Sequence, residues 1–333
     1  MGVDALTTGA DARRFVVVGG AGFIGGHFTD RLLSDASVEV VTIYDNVTSG
    51  RRWHFARHEA DPRLRVVEAD VKDLESLVAA MSGHDTAIHL ASNPDIARAV
   101  TEPSIDFDEG TLLTHHVVEA MRRSGVSTLL YASGSGVYGD LGTLEVDEDH
   151  GPMLPISTYG ASKLAGEALI SSYCHMFGLR GRAFRFGNVV GPRQTHGVGF
   201  DFVKRLLGAS QELPILGDGT QSKSYIHVDD VIDAVLTALR SEPQPYRVYN
   251  VATGDYITVT EIAELAVRCV GLAPGSVRFA YSGGDRGWKG DIPVVRLNTD
   301  RIRALGWANR RTSRAALQES MLAMIPDARA GRL

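Results

Sequence analysis

The sequence predicts an α/β fold in which a doubly wound parallel sheet is joined to a smaller C-terminal α/β domain. Short β-branched runs alternate with helix-length segments through the first half of the chain, and a glycine-rich turn follows the first run. After residue 188 the chain changes to loops rich in Gly and Pro with helices between them. A chain of 333 residues is long enough for one large domain or two closely packed ones.

The elements can be placed in order along the chain. Ile24, Phe28 and Leu32 recur at helical spacing, and Thr258 with Glu261 predicts a capping box at the start of a later helix. Because strands alternate with helices, we expect a parallel sheet that is covered on both faces. The predicted strands are 15–18, 38–44, 64–69, 86–90, 128–132, 182–186 and 248–251. The predicted helices include 23–34, 111–124, 159–177 and 259–270.

Composition and charge exclude several classes of function. The formal net charge of -6 argues against a nucleic-acid partner. The two cysteines, Cys174 and Cys269, are far apart and form no Cys-x-x-Cys motif, which argues against a metal site and favours a reducing compartment. No apolar run approaches the ~20 residues that span a bilayer. We therefore expect a cytoplasmic protein with no membrane partner and a flexible N-terminal extension over residues 1–12.

A glycine motif marks the predicted cofactor site. Gly19, Gly22 and Gly25 are spaced three apart, directly after the first strand and at the start of the first helix, with Phe23 and Ile24 between the last two. The first glycine permits a tight turn, the second lets the backbone approach a pyrophosphate, and the third allows close helix–strand packing. The helix N-terminus would then present free N–H groups to the phosphates.

Acidic residues at strand ends identify the dinucleotide. Asp45 closes the second strand, 20 residues after Gly25, where a carboxylate accepts hydrogen bonds from an adenosine ribose. Such a carboxylate repels a 2′-phosphate and favours NAD over NADP, although Arg51 and Arg52 nearby could hold that phosphate. Asp70 and Val71 follow another strand, where they would meet the adenine edge. The alternative for Asp70 is an ordinary turn residue.

Tyr159 and Lys163 are the predicted catalytic pair. They are four residues apart on a predicted helix, so both side chains project from one face. A phenol with a pKa near 10 is a poor base at neutral pH. A neighbouring ammonium and a nicotinamide cation favour the phenolate and lower its pKa. Together with a dinucleotide fold, the pair indicates chemistry between an alcohol and a ketone.

These motifs resemble the extended short-chain dehydrogenase/reductase superfamily. The chain is most similar to its NAD-dependent nucleotide-sugar epimerases and dehydratases, and in particular to the UDP-galactose 4-epimerase-like branch. The resemblance covers nearly the whole chain. It is carried by G19-G-A-G-F-I-G25, Y44-D-N46, S49-G-R-R52, H89-L-A-S92, V137-Y-G139, Y159-G-A-S-K163, R185-F-G-N-V-V-G-P192, G217-D-G-T-Q221, Y225-I-H-V228 and L305-G-W307.

The resemblance implies a domain plan, a cofactor site and a reaction. A Rossmann NAD-binding domain would cover 13–187 with help from 225–251, and a nucleotide-sugar-binding domain 188–224 and 252–330. Tyr159 would take the proton from the sugar C4 hydroxyl while hydride passes to NAD and then returns to the other face, and Lys163 would also hold the nicotinamide ribose. The further residues implied at the cofactor are Asn46, Ser49, Gly50, Leu90, Ala91 and Ser92.

One catalytic position departs from the family pattern. Relatives carry Ser or Thr three residues before the Val-Tyr-Gly valine, and that residue here is Gly134. We expect Ser135, or nearly as well Ser133, to supply the missing hydroxyl, and a water molecule is the third possibility. Dehydratases that resemble this chain carry Asp-Glu at the next two positions, and decarboxylases an acidic residue beside the valine. Ser135 and Gly136 stand there and disfavour both.

The substrate side is predicted from the same resemblance. Asn188 and Lys223 match positions that contact the nucleotide phosphates in relatives, with Lys223 replacing an arginine. Arg286 would serve in a second phosphate-binding segment, in which Trp288 falls where an arginine is common, and Arg193 would line the pocket. Two helices, 111–124 and the one that begins at Tyr159, would form a homodimer interface or simply pack on the sheet.

The sequence therefore predicts a nucleotide-sugar 4-epimerase that acts on a UDP- or dTDP-linked hexose, hexosamine or hexuronate. A dehydratase, decarboxylase or 4-ketoreductase acting on a similar substrate is the alternative within the family. The missing hydroxyl at Gly134 also leaves open a catalytically weakened NAD-binding regulatory module.

Overall fold

A parallel sheet forms the centre of the protein in the computed structural model, which describes residues 12–208 and 211–331. The predicted N-terminal extension lies outside these residues except for Ala12. The strands are β1 (Arg14–Val18), β2 (Val40–Asp45), β3 (Leu64–Glu68), β4 (Thr86–His89), β5 (Thr128–Gly134), β6 (Glu145–Val146), β7 (Arg180–Phe186), β8 (Asn188–Val190), β9 (Glu212–Ile215), β10 (Ser222–Lys223), β11 (Tyr225–His227), β12 (Tyr246–Val251), β13 (Ile257–Thr258), β14 (Arg278–Tyr281) and β15 (Arg296–Leu297).

Helices cover both faces of this sheet. None of those described is both long and apolar enough to cross a bilayer. Their bounds are α1 (Phe23–Leu33), α2 (Leu74–Met81), α3 (Leu112–Ser124), α4 (Thr158–Phe177), α5 (Val198–Leu207), α6 (Val228–Ser241), α7 (Val259–Cys269), α8 (Asp300–Arg303) and α9 (Ser313–Arg329).

The order of the strands places the site. Seven strands run in the order β12-β7-β5-β4-β1-β2-β3, and every neighbouring pair is parallel. The chain leaves β1 in one direction and later returns to its other side at β4, so the winding reverses between these two strands. Ligands of such sheets bind outside the carboxyl ends of the strands at this reversal. The predicted Rossmann fold is confirmed.

Three buried clusters support the architecture. Phe28 and Leu32 of α1 pack with Val231 and Val235 of α6 on one face of the sheet. The second cluster, on α2, α3 and α4, covers the other face. The third joins α5, α7 and α9 with β9, apart from the sheet. The predicted capping box is present at the start of α7, where the Glu261 amide donates to Thr258 Oγ1 over 3.2 Å and the Thr258 amide donates to Glu261 Oε2 over 2.8 Å.

Among the element boundaries that differ from the prediction, two affect the site. Strand β5 continues to Gly134, two residues beyond its predicted end at Ala132. Helix α3 begins at Leu112, after a π-helical turn over Phe107–Thr111. The turn brings residues just upstream of α3 against the start of α4, which carries Tyr159.

Candidate active site

A large cavity opens at the carboxyl ends of the strands. Its volume is about 1580 Å³, above the ~300–1,000 Å³ typical of a small-molecule pocket, so it has room for two ligands side by side. In the described ranges 12–208 and 211–331, no group of three or more His, Cys, Asp or Glu side chains could hold a metal. The predicted site residues that line the cavity are Gly19, Gly22, Phe23, Ile24, Gly25, Asp45, Asn46, Ser49, Asp70, Val71, Leu90, Ala91, Ser92, Ser133, Ser135, Tyr159, Lys163, Asn188 and Lys223.

The glycine loop is shaped to receive phosphate groups. Gly19 has a φ of 85°, and its amide donates to the Tyr44 carbonyl over 2.9 Å. A Cβ on Gly25 would lie 2.5 Å from the Gly19 oxygen, so only glycine lets α1 approach this closely. Gly22 is the N-cap of α1 and has no side chain that could cap the free N–H groups. The first turn of the helix contains no acidic residue. The positive helix end is therefore free for an anion.

Asp45 holds the loops that would surround an adenosine ribose. Its carboxylate accepts the amides of Ala21 over 2.9 Å and Val47 over 2.7 Å. Burial raises its pKa, and these hydrogen bonds oppose that rise. Gly50 does not line the cavity, but a Cβ there would lie 2.8 Å from the Ala21 Cβ, so the glycine lets its loop pack on the glycine turn.

The two arginines after this loop are already engaged by the protein. Arg51 lines the cavity and donates to the Ser49 carbonyl over 3.1 Å and the Gly50 carbonyl over 3.0 Å. Arg52 forms an ion pair with Glu68. A phosphate on the ribose would have to compete with these contacts and would face the Asp45 carboxylate. This geometry fits NAD better than NADP.

Asp70 and Asn46 form the neighbouring wall. Asn46 Nδ2 donates to one Asp70 oxygen over 3.1 Å, and the Lys72 amide donates to the other over 2.8 Å. Tyr44 donates to the Asp70 carbonyl over 3.0 Å. Asp70 therefore fixes the turn after β3 and also presents an edge to the cavity, which combines the two roles considered for it.

Tyr159 and Lys163 lie one turn apart on α4 and face the same cavity. Lys163 Nζ donates to the Ala132 carbonyl over 2.9 Å and lies 5.4 Å from the centre of the Tyr159 ring. Burial lowers the pKa of Lys163 to about 8, and the charge of Asp106 opposes this. Burial raises the pKa of Tyr159 to about 12, while the Ser92 hydroxyl lowers it. The phenol therefore needs a further positive charge before it can act as a base near neutral pH.

The two candidate serines have different surroundings. Ser133 is buried at 4% exposure, and its hydroxyl donates to Glu167 Oε1 over 2.5 Å. Glu167 is itself held by Arg185 over 2.7 Å, so this hydroxyl belongs to a buried network behind the site. Ser135 is half-buried and begins the turn after β5 at the cavity wall. Geometry therefore favours Ser135 over Ser133.

Gly134 lies between them with free space at its Cα. Its backbone is extended, with φ of -155° and ψ of 161°, a conformation that any residue adopts. A Cβ built there would meet no atom within 4 Å. A hydroxyl side chain would therefore fit at this position of the cavity wall.

Only some of the predicted substrate-binding residues line the substrate end of the cavity. Asn188 lines the cavity, and its Nδ2 donates to the Ser224 carbonyl over 3.3 Å. Lys223 lines the cavity too, but its Nζ donates to Asp291 Oδ1 over 2.6 Å. The positive charge available to a phosphate here is therefore shared with a carboxylate.

Two predicted substrate residues lie outside the cavity wall. Arg193, expected in the pocket, pairs with Asp30 and donates to the His54 carbonyl behind α1. Arg286 donates to the Asp291 carbonyl over 2.6 Å and pairs with Asp140. Each guanidinium is engaged by one carbonyl and one carboxylate of the protein, and neither side chain lines the cavity.

Sequence reasoning missed two acids that shape the site. Asp291 accepts Lys223 and also the Gly287 amide over 3.0 Å, although it lies close to the predicted phosphate-binding segment of Arg286 and Trp288. Asp106 is buried at 2% exposure beside Tyr159 and Lys163. No motif marks Asp106, because its position depends on the π-helical turn before α3.

Comparison with known proteins agrees with this geometry. The model of the NAD dependent epimerase/dehydratase family matches residues 15–252. A UDP-glucose 4-epimerase of Mycolicibacterium smegmatis is 33% identical over 302 residues, which cover 88% of this chain and 93% of the relative. A UDP-galactose 4-epimerase crystal structure is 34% identical, with a TM-score of 0.82 over 94% of this chain and 99% of its own. The dTDP-glucose 4,6-dehydratase DesIV from Streptomyces venezuelae, solved with NAD bound, is 27% identical, with a TM-score of 0.87 over 95% of this chain and 98% of its own.

Proposed function

The chain belongs to the NAD-dependent epimerase/dehydratase family, and we propose that within it the protein is a 4-epimerase of a UDP- or dTDP-linked hexose, hexosamine or hexuronate. It is an NAD-dependent enzyme of nucleotide-sugar metabolism. One observation carries the choice of epimerase: the cavity contains Tyr159 and Lys163, whereas Ser135 and Gly136 stand where the dehydratases carry an acid pair. Water elimination needs that additional acid and base, and epimerisation does not.

Each residue of the site has its own role in the proposed reaction. NAD, when bound, would supply the hydride acceptor and then the hydride donor for the sugar carbon. Tyr159 takes the proton from the C4 hydroxyl and gives it back, and Lys163 stabilises the phenolate by its charge over 5.4 Å to the ring centre. Ser135 donates a hydrogen bond to the reacting oxygen. Asn188 and Lys223 hold the nucleotide phosphates at the other end of the cavity.

The cavity supports the return of hydride without exchange of the cofactor. Its volume of about 1580 Å³ holds cofactor and substrate together. Gly19, Gly25 and the start of α1 would hold the pyrophosphate through the main chain. A cofactor held in this way can stay bound through many turnovers, because no net oxidation or reduction occurs.

We also propose how the enzyme assembles and where it acts. The substrate-binding part would centre on the core of α5, α7 and α9, and the enzyme would act in the cytoplasm. Two copies would pair through α3 and α4. The last turn of α4 carries Met176, 71% exposed, and Phe177, 47% exposed, which a second copy would cover.

Anomeric-proton NMR on the purified protein tests the proposal. UDP-glucose, UDP-N-acetylglucosamine, UDP-glucuronate and dTDP-glucose are offered separately with no added cofactor. We expect the C4 epimer of one of them, and no product from the Tyr159→Phe variant. A 4-keto-6-deoxy sugar would indicate a dehydratase, and a pentose a decarboxylase. No product even with saturating NAD would favour a binding module.

A further inference from the structure

Asp106 is a buried carboxylate for which neither the fold nor the proposed reaction accounts. It is 2% exposed and lies one residue before the π-helical turn that precedes α3. Its two oxygens accept hydrogen bonds from Asn93 Nδ2 over 2.9 Å and from Thr158 Oγ1 over 2.6 Å. Both of these partners are neutral. A buried carboxyl group is costly to desolvate unless it is hydrogen-bonded, and these two hydrogen bonds fix its position.

The two partners belong to the segments that hold the catalytic side chains. Thr158 is the first residue of α4 and directly precedes Tyr159. Asn93 directly follows Ser92, whose hydroxyl lowers the pKa of Tyr159. Asn93 is also fixed by its amide, which donates to the Glu109 carbonyl over 3.1 Å. Asp106 therefore joins the start of the catalytic helix to the loop after β4.

The charge of Asp106 also reaches the catalytic pair. It raises the pKa of Lys163, against the larger effect of burial. It raises the pKa of Tyr159 as well, in the same direction as burial and against the Ser92 hydroxyl. Lys163 is the basic group that faces the Tyr159 ring on α4, at 5.4 Å. The carboxylate thus supports a charged Lys163 even though that side chain is desolvated.

We propose that Asp106 is a positioning residue of the active site, which ties the helix of Tyr159 to the loop of Ser92 and presents its charge to Lys163. This role rests on the proposed function, because it assumes that Tyr159 and Lys163 carry out the proton transfer. A residue that only supports the fold would change stability alone, whereas one that positions the site lowers kcat. A residue that acts through its charge must also change the titration of Lys163.

The chain offers a direct way to measure that titration. It contains five lysines, so ¹³C-lysine labelling gives few signals, and loss of one signal in Lys163→Met assigns the buried residue. We expect Asp106→Asn to lower the pH midpoint of Lys163 relative to the wild-type protein, because the charge of Asp106 raises the pKa of that lysine. The asparagine keeps an acceptor, and Thr158 can reverse its hydrogen bond, so the fold should be retained. Asp147→Asn, an exposed position with the same charge change, is the matched control.

A second variant separates the hydrogen bonds made by Asp106 from the effect of its charge. Thr158→Val removes one hydrogen bond to Asp106 and leaves the carboxylate in place. We expect it to leave the Lys163 midpoint unchanged, while both Thr158→Val and Asp106→Asn lower kcat about 10- to 100-fold with little change in KM. Identical Lys163 midpoints in Asp106→Asn and Asp147→Asn, or wild-type kcat in both site variants, would overturn the proposal.

The two proposals can fail separately. If the wild-type protein turns over no nucleotide sugar, the proposed function fails, but the lysine titration still decides whether the charge of Asp106 acts on Lys163. If turnover is observed and the titration does not respond, only the role of Asp106 is lost.

Discussion

The two ends of the cavity use different parts of the chain to prepare for a ligand. At the cofactor end, the main chain does the work: Gly19 turns, Gly25 allows close packing, and the start of α1 presents free N–H groups. At the substrate end, side chains on loops do it, and of the basic residues predicted there only Lys223 lines the cavity. A site built from backbone is encoded by local spacing, whereas a site built from long side chains depends on the partners each one meets.

The largest expected effect tests the backbone end. A Cβ in Gly25→Ala would lie 2.5 Å from the Gly19 oxygen and 2.6 Å from the Gly20 Cα, both of which are backbone atoms. The loop and α1 must separate, so we expect the purified protein to lose its bound NAD and about 1–3 kcal/mol of stability. Cofactor released on acid denaturation and the melting temperature measure these two effects.

Gly134→Ala is the matched control for this substitution. Its Cβ meets nothing within 4 Å, and its backbone is extended. We expect unchanged NAD content and equal or slightly higher stability, since alanine restricts the unfolded chain. If Gly25→Ala kept its cofactor as well as Gly134→Ala does, the main chain would not be what holds the pyrophosphate.

Much of the cofactor end could be predicted from the sequence, because it is built from the main chain. Glycine spacing, strand ends and helix starts are local properties, and Gly19, Gly25, Asp45 and Asp70 all line the cavity. Asp106 could not be predicted, because its neighbours Asn93 and Thr158 are 13 and 52 residues away in the chain. Only the tertiary fold brings them together.

Ser133 and Ser135 could be predicted only in part, unlike the cofactor residues and unlike Asp106. The prediction ended β5 at Ala132 and left both serines on a turn, but the strand continues to Gly134. Side chains alternate along a strand, so Ser133 follows the direction of Tyr131 toward α4, where it meets Glu167. A difference of two residues in a strand end thus changes which serine is available for chemistry.

Substitution of each serine gives the effects of intermediate size. We expect Ser135→Ala to lower kcat about 10- to 100-fold, because the reacting oxygen loses a hydrogen-bond donor. We expect Ser133→Ala to keep kcat within about twofold but to lose roughly 1–3 kcal/mol of stability, since Glu167 loses a buried partner. Initial rates and urea unfolding measure the two. The reverse pattern would show that Ser133 leaves its network to reach the substrate.

Gly134→Ser sharpens the same comparison. The free space at Gly134 admits the side chain, and a hydroxyl there would stand at the position that relatives use. We expect a gain in kcat of up to about tenfold, by roughly one well-placed hydrogen bond. In the Ser135→Ala background the same substitution should restore part of the lost rate. A loss of rate in both backgrounds would mean that the substrate itself needs this space.

The smallest expected effect belongs to the substrate end. Lys223 lines the cavity, but Asp291 accepts its Nζ over 2.6 Å, so the carboxylate offsets part of the attraction to a phosphate. We therefore expect Lys223→Met to raise KM for the nucleotide sugar only about tenfold, with kcat nearly unchanged. Steady-state rates at several ionic strengths measure this, and the rise should be smaller at high salt, where the wild-type attraction is screened.

Arg193→Met is the control for this last prediction, because Arg193 was expected in the same pocket. Its guanidinium faces Asp30 and the His54 carbonyl behind α1, so its loss should leave KM within about twofold of wild type. Asp30 would still be paired with Arg57 and His58, which limits the cost in stability. Equal increases in KM for both variants would mean that Arg193 turns into the cavity when the substrate binds. The difference between the two ends would then lie in the movement of side chains and not in the structure of the free enzyme.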